Sequence, residues 1–259
     1  MSKIEDYYKG WTRQLDIAEK KQDRLFSQYF YNEYKKMIDD YLVNRRVENV
    51  DAYFQLKSLN DLYKNLYVSI GNRMAKWYIK NYEKYINKNE TEQYEDIWNQ
   101  KFTYLGETVA GERIVSISGN RKKEFLRFLR KKMSDKDFQE MGEAQAGRIL
   151  RKKFLSMSVM NAKRIVRTES VNAANYATNM TAVDVFGKDN LIKEWIASLD
   201  ERTRVSHAAA NGQQVNMNEK FIVMGEYLSH PGDSSGSAGN IINCRCTSAP
   251  IPKQSFTIN

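Results

Sequence analysis

The sequence predicts a mainly α chain ending in a C-terminal α+β module: long N-terminal helices followed by a small antiparallel sheet packed on a helix. Three observations carry this. All three prolines fall after residue 230, so no proline breaks a helix before that point. Apolar and aromatic side chains recur at intervals of three and four residues through the first half, the spacing of one helix face. After Gly187 the pattern changes to short β-branched and aromatic pieces separated by Gly, Ser and Asn. The boundary is expected near 134/135, with a helical docking region over 1–134 and an α+β domain over 135–259.

Over roughly 3–50, Tyr7, Trp11, Leu15 and Ile17, then Leu25, Tyr29, Tyr34, Met37 and Leu42, alternate with charged and amide side chains. Asn49-Val50-Asp51 reads as a break with Asp51 as an N-cap. A second helix is predicted over about 52–87, from Phe54 to Tyr85, before a polar turn at 87–91. Tyr94, Ile97, Trp98, Phe102 and Leu105 predict a third over about 91–109. The stretch containing Gly111, Ile114, Val115 and Ile117 reads as a connection ending at Ser118-Gly119-Asn120. Helices follow over about 120–132, 135–155 and 158–186, with Ser134 and Ser158 as candidate N-caps and Gly187 as the residue that ends the last. The many tyrosines and tryptophans at helical spacing are read as packing residues rather than base-stacking platforms.

Strands are expected at 192–198, 213–215, 221–224 and 244–251. A Gly/Ser-rich loop from Ser229 to Asn240 precedes the last.

Composition narrows the classes of function. No apolar run approaches the roughly 18–20 residues that cross a bilayer, and the first residues lack an apolar signal core, so synthesis and retention in a cytosol are expected. Two cysteines one residue apart make a poor disulfide framework and point to reduced thiols or metal ligands. The net charge of +9 is concentrated: between Asn120 and Arg167, fifteen basic residues meet five acidic ones. Two clusters dominate, Arg121, Lys122, Lys123, Arg127, Arg130, Lys131 and Lys132, then Arg148, Arg151, Lys152 and Lys153. They are expected to meet a polyanion through phosphate contacts, independent of sequence and sensitive to salt.

The rarest pattern lies toward the C-terminus. Arg167-Thr168-Glu169 with Asn172 is followed by Trp195, the block Asp200-Glu201-Arg202-Thr203 with His207, then Gly212, Phe221, Pro231-Gly232-Asp233 and Asn243-Cys244-Arg245-Cys246. In order and spacing this resembles the Mu F-type minor head proteins, the head-morphogenesis proteins of tailed phages, over about residues 140–250. The resemblance implies a structural, non-enzymatic component of a phage head, made in the host cytoplasm and resident inside the virion head near the portal. Its implied partners are the portal protein, a scaffold or the major capsid protein, and double-stranded DNA, with no membrane. Arg167, Thr168, Glu169, Asn172, Trp195, Asp200, Arg202, Thr203, Gly212 and Asn243 are its structural motif. A DNA-acting enzyme or toxin-like module with a helical targeting arm is the alternative.

This sequence departs from the family in its candidate metal ligands, and His230-Pro231 stands upstream of the Gly/Ser loop where many members have His-Pro closer to the final Asn-Cys-Arg-Cys. Many members carry Cys-x-x-Cys after the Asp-x-Arg-Thr start, where Arg204 and His207 stand here, and arginine is no metal ligand. The preferred reading keeps Cys244 and Cys246 as reduced packing residues and His207 hydrogen-bonded. The alternative is a structural zinc held by His207, Cys244 and Cys246, with Asp200, His230 or water completing the set. Arg167, Glu169, Asp200 and Arg202 are read as a network fixing helix to hairpin rather than as an active site.

Overall fold

A computed structural model describes residues 3–46, 50–82, 94–198 and 200–253. The polar turn expected at 87–91 lies outside these residues, as does Asn49 of the expected break. Helices α1 (Lys3–Asn44), α2 (Leu56–Tyr82), α3 (Tyr94–Met133), α4 (Lys136–Glu140) and α5 (Glu143–Phe186) fill the front of the chain, with a 3-10 turn at Val50–Tyr53. Beyond α5 come a 3-10 turn (Lys188–Asn190), β1 (Leu191–Ile196), α6 (Val205–Ala209), β2 (Gln214–Asn216), β3 (Phe221–Val223), β4 (Glu226–Leu228), α7 (Ala238–Ile241) and β5 (Thr247–Pro252). The chain is mainly α with a C-terminal α+β module, as its sequence predicts.

Several boundaries differ from expectation: the helix expected over 135–155 is split at 141–142, Asp51 lies inside the 3-10 turn rather than capping α2, and three further differences have clear local reasons. The connection expected around 111–120 is helical, and α3 runs through it without interruption. Ile114, Ser118, Arg121, Phe125 and Leu129 are all buried at helical spacing. That continuous buried stripe outweighs the roughly 1 kcal/mol that each of Gly111 and Gly119 costs relative to alanine. The break expected at 155–158 is likewise absent: Ser158 does not cap a helix but donates to the carbonyl of Phe154 one turn back (2.7 Å). Asp135, not Ser134, caps α4, its carboxylate accepting from the Phe138 N–H, while the Ser134 hydroxyl donates to Arg130 O and closes α3. Gly187 does end α5: its φ of +77° suits glycine, and its N–H donates to Val183 O.

By contact the chain forms two compact units, and neither follows a single cut near 134/135. One consists of residues 1–21, 64–106 and 164–259; the other of 22–63 and 107–163. Long helices make this possible, because one helix contributes successive stretches of its apolar stripe to different cores.

The second unit is all helical. Tyr34, Phe125 and Phe154 meet at its centre, with ring centroids 4.8–6.0 Å apart, among Met37, Ile38, Leu129, Phe138 and Leu150. Arg121 is also inside, 2% exposed. Its guanidinium pairs with Glu33 at 2.5 Å, donates to Phe30 O and lies 3.8 Å from the centroid of the Phe30 ring. The sequence places Arg121 among the polyanion-binding residues, and the structure corrects this, because a buried guanidinium already neutralised by a carboxylate presents no charge to a phosphate. Removing one partner of such a pair costs about 3–5 kcal/mol, since the other charge is left buried alone.

The first unit carries the sheets. Three antiparallel strands run in the order β2-β1-β5, with Lys193 opposite Val215 on one side and Pro250 on the other. The β3–β4 hairpin pairs Phe221 with Leu228; β4, only three residues long, has no counterpart among the expected strands. Met224 and Gly225, both at positive φ, form the two-residue turn between these strands. Tyr78 and Leu191 are buried in one cluster with Phe186, and the Tyr78 hydroxyl donates to Pro250 O (3.2 Å), tying α2 to β5.

Lys193 sits on the central strand, 2% exposed. Its ammonium donates to Ser229 O (2.7 Å) and lies 5.2 Å from the centroid of the Phe221 ring. Burial pulls its pKa from 10.5 down to about 8, against the opposing fields of Asp233 and Glu219. Between about 8 and 10.5 the unfolded chain therefore binds more protons here than the folded one, so folding is favoured as pH rises through that window. Denaturant unfolding should show the wild type gaining stability relative to Lys193→Met from pH 8 to 10.5. A difference that stays flat or reverses would contradict this environment for Lys193.

Candidate functional site: a buried histidine–cysteine cluster beside an arginine-lined cavity

The C-terminal half of α5 presents polar side chains toward the segments that follow it. Thr168 donates to Arg164 O and accepts the N–H of Asn243 (3.1 Å). Tyr67, from α2, donates to Glu169 (2.7 Å) and accepts from Asn172 (3.0 Å), all three buried. Asn175, fully buried, donates to Pro231 O and Cys246 O and accepts from the Thr247 hydroxyl and the Ser248 N–H. Gly232 reaches the same helix at a φ of +79°, where a Cβ would lie 3.1 Å from the Asn172 nitrogen. Only glycine gives both that dihedral and that approach.

The loop after β1 is organised by Asp200. Its carboxylate accepts from the Arg202 N–H (3.0 Å) and the Thr203 hydroxyl (3.1 Å), and Thr203 lies 2.7 Å from the Ser198 hydroxyl. Burial works against ionisation of Asp200, but these donors and the Arg202 guanidinium hold its carboxyl below the usual range. The turn leads into α6, and Arg204 at its start donates to Ile242 O (2.5 Å). His207, in α6, is 1% exposed and packs edge-on against Trp195 (5.5 Å between centroids), which also meets Phe221. Gly212, at φ +79°, returns the chain so that its N–H donates to Trp195 O.

Asn243, at φ +56°, turns the chain into Cys244-Arg245-Cys246. These residues precede β5 rather than lying in a strand as the sequence suggests; β5 begins at Thr247. Both cysteines are free and buried. Their sulfurs lie 3.6 Å (Cys244) and 3.4 Å (Cys246) from the same atom, His207 Nδ1. The other ring nitrogen, Nε2, is 3.3 Å from Asn240 Oδ1, and Asn240 Nδ2 in turn donates to Val223 O. The hydrogen bond between the thiols pushes Cys246 up and Cys244 down, with burial opposing the shift at Cys244 and adding to it at Cys246. Among the described residues this is the one group of three or more His, Cys, Asp or Glu side chains whose ligand atoms converge, all within 4.8 Å of one another. Asp200 and His230 do not join it: Asp200 is held by its own loop, and His230 Nδ1 faces Pro231 O while its ring meets Tyr176.

A cavity of about 490 Å³ opens beside the cluster, lined by His207, Cys244 and Cys246 together with Asp200, Thr203 and four arginines, Arg167, Arg202, Arg204 and Arg245. Three of those arginines are engaged: Arg202 by Asp200, Arg204 by Ile242 O, and Arg245 by Glu19 (2.7 Å) and Asp16 (3.1 Å) on α1. Burial pushes Glu19 up to about 7 against the pull of Arg245. A thiol and an imidazole in contact could suggest nucleophilic chemistry, but that needs an accessible thiolate. Cys244 and Cys246 are 2% and 1% exposed. A buried soft-donor cluster is the better description.

The sequence motif thus converges within one unit: Arg167, Thr168, Glu169, Asn172, Trp195, Asp200, Arg202, Thr203, Gly212 and Asn243 all support or line this region. Sequence reasoning missed Asn240, which fixes the histidine, and the α1 carboxylates that hold Arg245. Neither has a local signal, since their partners are distant in the chain. In the helical unit, Lys123, Arg127, Arg130, Lys131, Arg148, Lys152 and Lys153 are exposed or half-buried. Lys122, Lys132 and Arg151 pair with Asp51, Asp135 and Asp39.

Comparison with known proteins gives a family assignment. Two curated relatives are similar over 95 residues, 36% of this chain: minor head protein GP7 of Bacillus phage SPP1 at 33% identity, and the NAD(+)–arginine ADP-ribosyltransferase EFV of Enterococcus faecalis at 30%. The matched segment spans 30% and 19% of their respective lengths, so this chain covers less than a third of either. No solved structure matches. The family described as Phage Mu protein F like protein matches residues 117–249, half of the chain and all of the motif from Arg167 to Cys246. On that match, the chain belongs to the Phage Mu protein F like family.

Proposed function

We propose that this phage head protein is a minor, non-enzymatic component that docks on the portal or the procapsid interior and acts in head morphogenesis, DNA packaging or ejection. The family match over residues 117–249 carries the reading, and the name of the SPP1 relative, a minor head protein, supports it. The helices ahead of the family match supply the docking surface, and the matched region with its C-terminal α+β module is the family element. No helix among the described residues is long and apolar enough to cross a membrane, which is compatible with residence in a particle.

The basic side chains at the surface favour contact with packaged DNA. Lys123, Arg127, Arg130 and Lys131 on α3, and Arg148, Lys152 and Lys153 on α5, form no ion pair among the described residues, so their charge is available to phosphates. The likeness to EFV is the observation behind a second reading, a module that accompanies an enzyme, but it extends over only 19% of that protein.

Two measurements test the proposal. Mass spectrometry of purified procapsids and virions should find this chain in few copies, co-purifying with the portal ring. Its absence from both particles would overturn the head-component reading. For the DNA arm, the full chain should bind duplex DNA with an affinity that falls steeply with salt. Replacing Arg127, Arg130 and Lys131 by Gln should make the log–log salt slope shallower by about 0.9 for each phosphate no longer neutralised. Binding that ignores salt, or a slope the triple variant leaves unchanged, would remove DNA binding from the account.

A further inference from the structure

We propose that His207, Cys244 and Cys246 form a binding site for a thiophilic divalent cation of the zinc class, with the fourth coordination position facing the arginine-lined cavity and filled by water. The inference stands on this chain's geometry and is independent of the head-component reading.

Three observations point to it. The first is the arrangement of the donors. Both sulfurs approach a single imidazole nitrogen, at 3.4 and 3.6 Å. One nitrogen lone pair accepts one well-directed S–H, so the second sulfur at this distance is not held there by its own hydrogen bond to the ring. A tetrahedral metal with bonds of about 2.3 Å to sulfur and about 2.0–2.1 Å to nitrogen has sulfur–nitrogen edges of about 3.5 Å. The observed spacings are those edges.

The second is the tautomer. The Asn240 amide is oriented by its donation to Val223 O, which leaves its Oδ1 facing His207 Nε2. That oxygen requires the proton on Nε2, so Nδ1 carries the free lone pair, on the side of the sulfurs. Fixing the tautomer of a ligating histidine through its far nitrogen is the role of outer-shell partners in metal sites. Asn240 is fully buried.

The third is the surroundings. Cys244, Cys246 and His207 are all at most 2% exposed, yet they also line the cavity, so the centre is shielded on the protein side and has an entry path. No fourth protein ligand converges among the described residues, because the nearest candidates in the sequence, Asp200 and His230, are held elsewhere. A set of two thiolates and one imidazole selects zinc-class cations over magnesium or calcium, which prefer oxygen. Both cysteines bind as thiolates, each giving its proton to solvent as its metal–sulfur bond forms.

Such a centre joins α6 to the segment entering β5, two pieces of the C-terminal module whose ligands His207 and Cys244 lie 37 positions apart. It acts as a cross-link across the loop holding the β3–β4 hairpin, and stabilises the folded module by mass action.

Cobalt(II) provides the direct probe. The chain has two cysteines in all, so thiolate-to-cobalt charge-transfer absorption can come only from Cys244 and Cys246. Titrating the reduced full chain should produce that absorption at an equimolar end point, zinc should displace it, and X-ray absorption of the zinc form should show two sulfur neighbours. Zinc at roughly a hundredfold excess over its Kd should raise Tm by about 5–10 °C, whereas magnesium should not. His207→Gln and Cys246→Ser should lose the absorption, and His230→Gln should keep it. Folded wild-type chain that gives no charge-transfer band and no zinc-dependent rise in Tm would overturn the proposal, without relying on any variant. So would a band that survives Cys246→Ser or is lost in His230→Gln.

Discussion

The carboxamide of Asn175 holds the C-terminal module on its helix. From a fully buried position on α5 it donates to Pro231 O and Cys246 O and accepts from Thr247 and Ser248, so one side chain fastens the loop before α7 and the start of β5. Each hydrogen bond taken alone is worth about 1 kcal/mol. Their joint effect is larger, since losing the amide would strand several buried polar groups at once. The consequences reach the cluster: Cys246, whose carbonyl Asn175 holds, is one residue before β5 and in contact with His207. Thr168, two turns earlier on the same helix, fixes Asn243 and so sets where Cys244 begins.

A second layer of constraint positions the histidine. The Asp200 turn launches α6, Trp195 on the central strand packs against the imidazole, and Asn240 faces its Nε2. These groups come from β1, the loop after it and α7, and each uses a hydrogen bond, a short ion pair or a ring contact. Arg245 sits between the two thiols in sequence, yet its charge is turned away to Asp16 and Glu19 on α1.

How much of this was legible in the sequence depended on range. The order of motifs from Arg167 to Cys246 marked the family and brought together the residues that do converge, because those positions serve one local scaffold. Helix identity was also legible, since apolar spacing reports on a face. Helix continuity was not: the β-branched run Ile114-Val115 with Gly111 and Gly119 mimics a connection, and only the buried stripe from Ile114 to Leu129 decides otherwise. Arg121 shows the same limit for charge. In a run of basic residues it resembles its neighbours, and its burial depends on Glu33, 88 positions away. Asn240 and the α1 carboxylates escaped notice for the same reason, as does the assembly of each compact unit from separated stretches.

The central claim, that Asn175 fastens β5 and the cysteine segment to α5, is tested most directly by native-state hydrogen exchange on the wild type and Asn175→Ala. The account predicts that the Ser248 amide and the rest of Thr247–Pro252 lose at least about tenfold protection in the variant, while the middle turns of α5 stay protected. Protection of β5 that is unchanged in Asn175→Ala, or lost equally from α5 and β5, would contradict it.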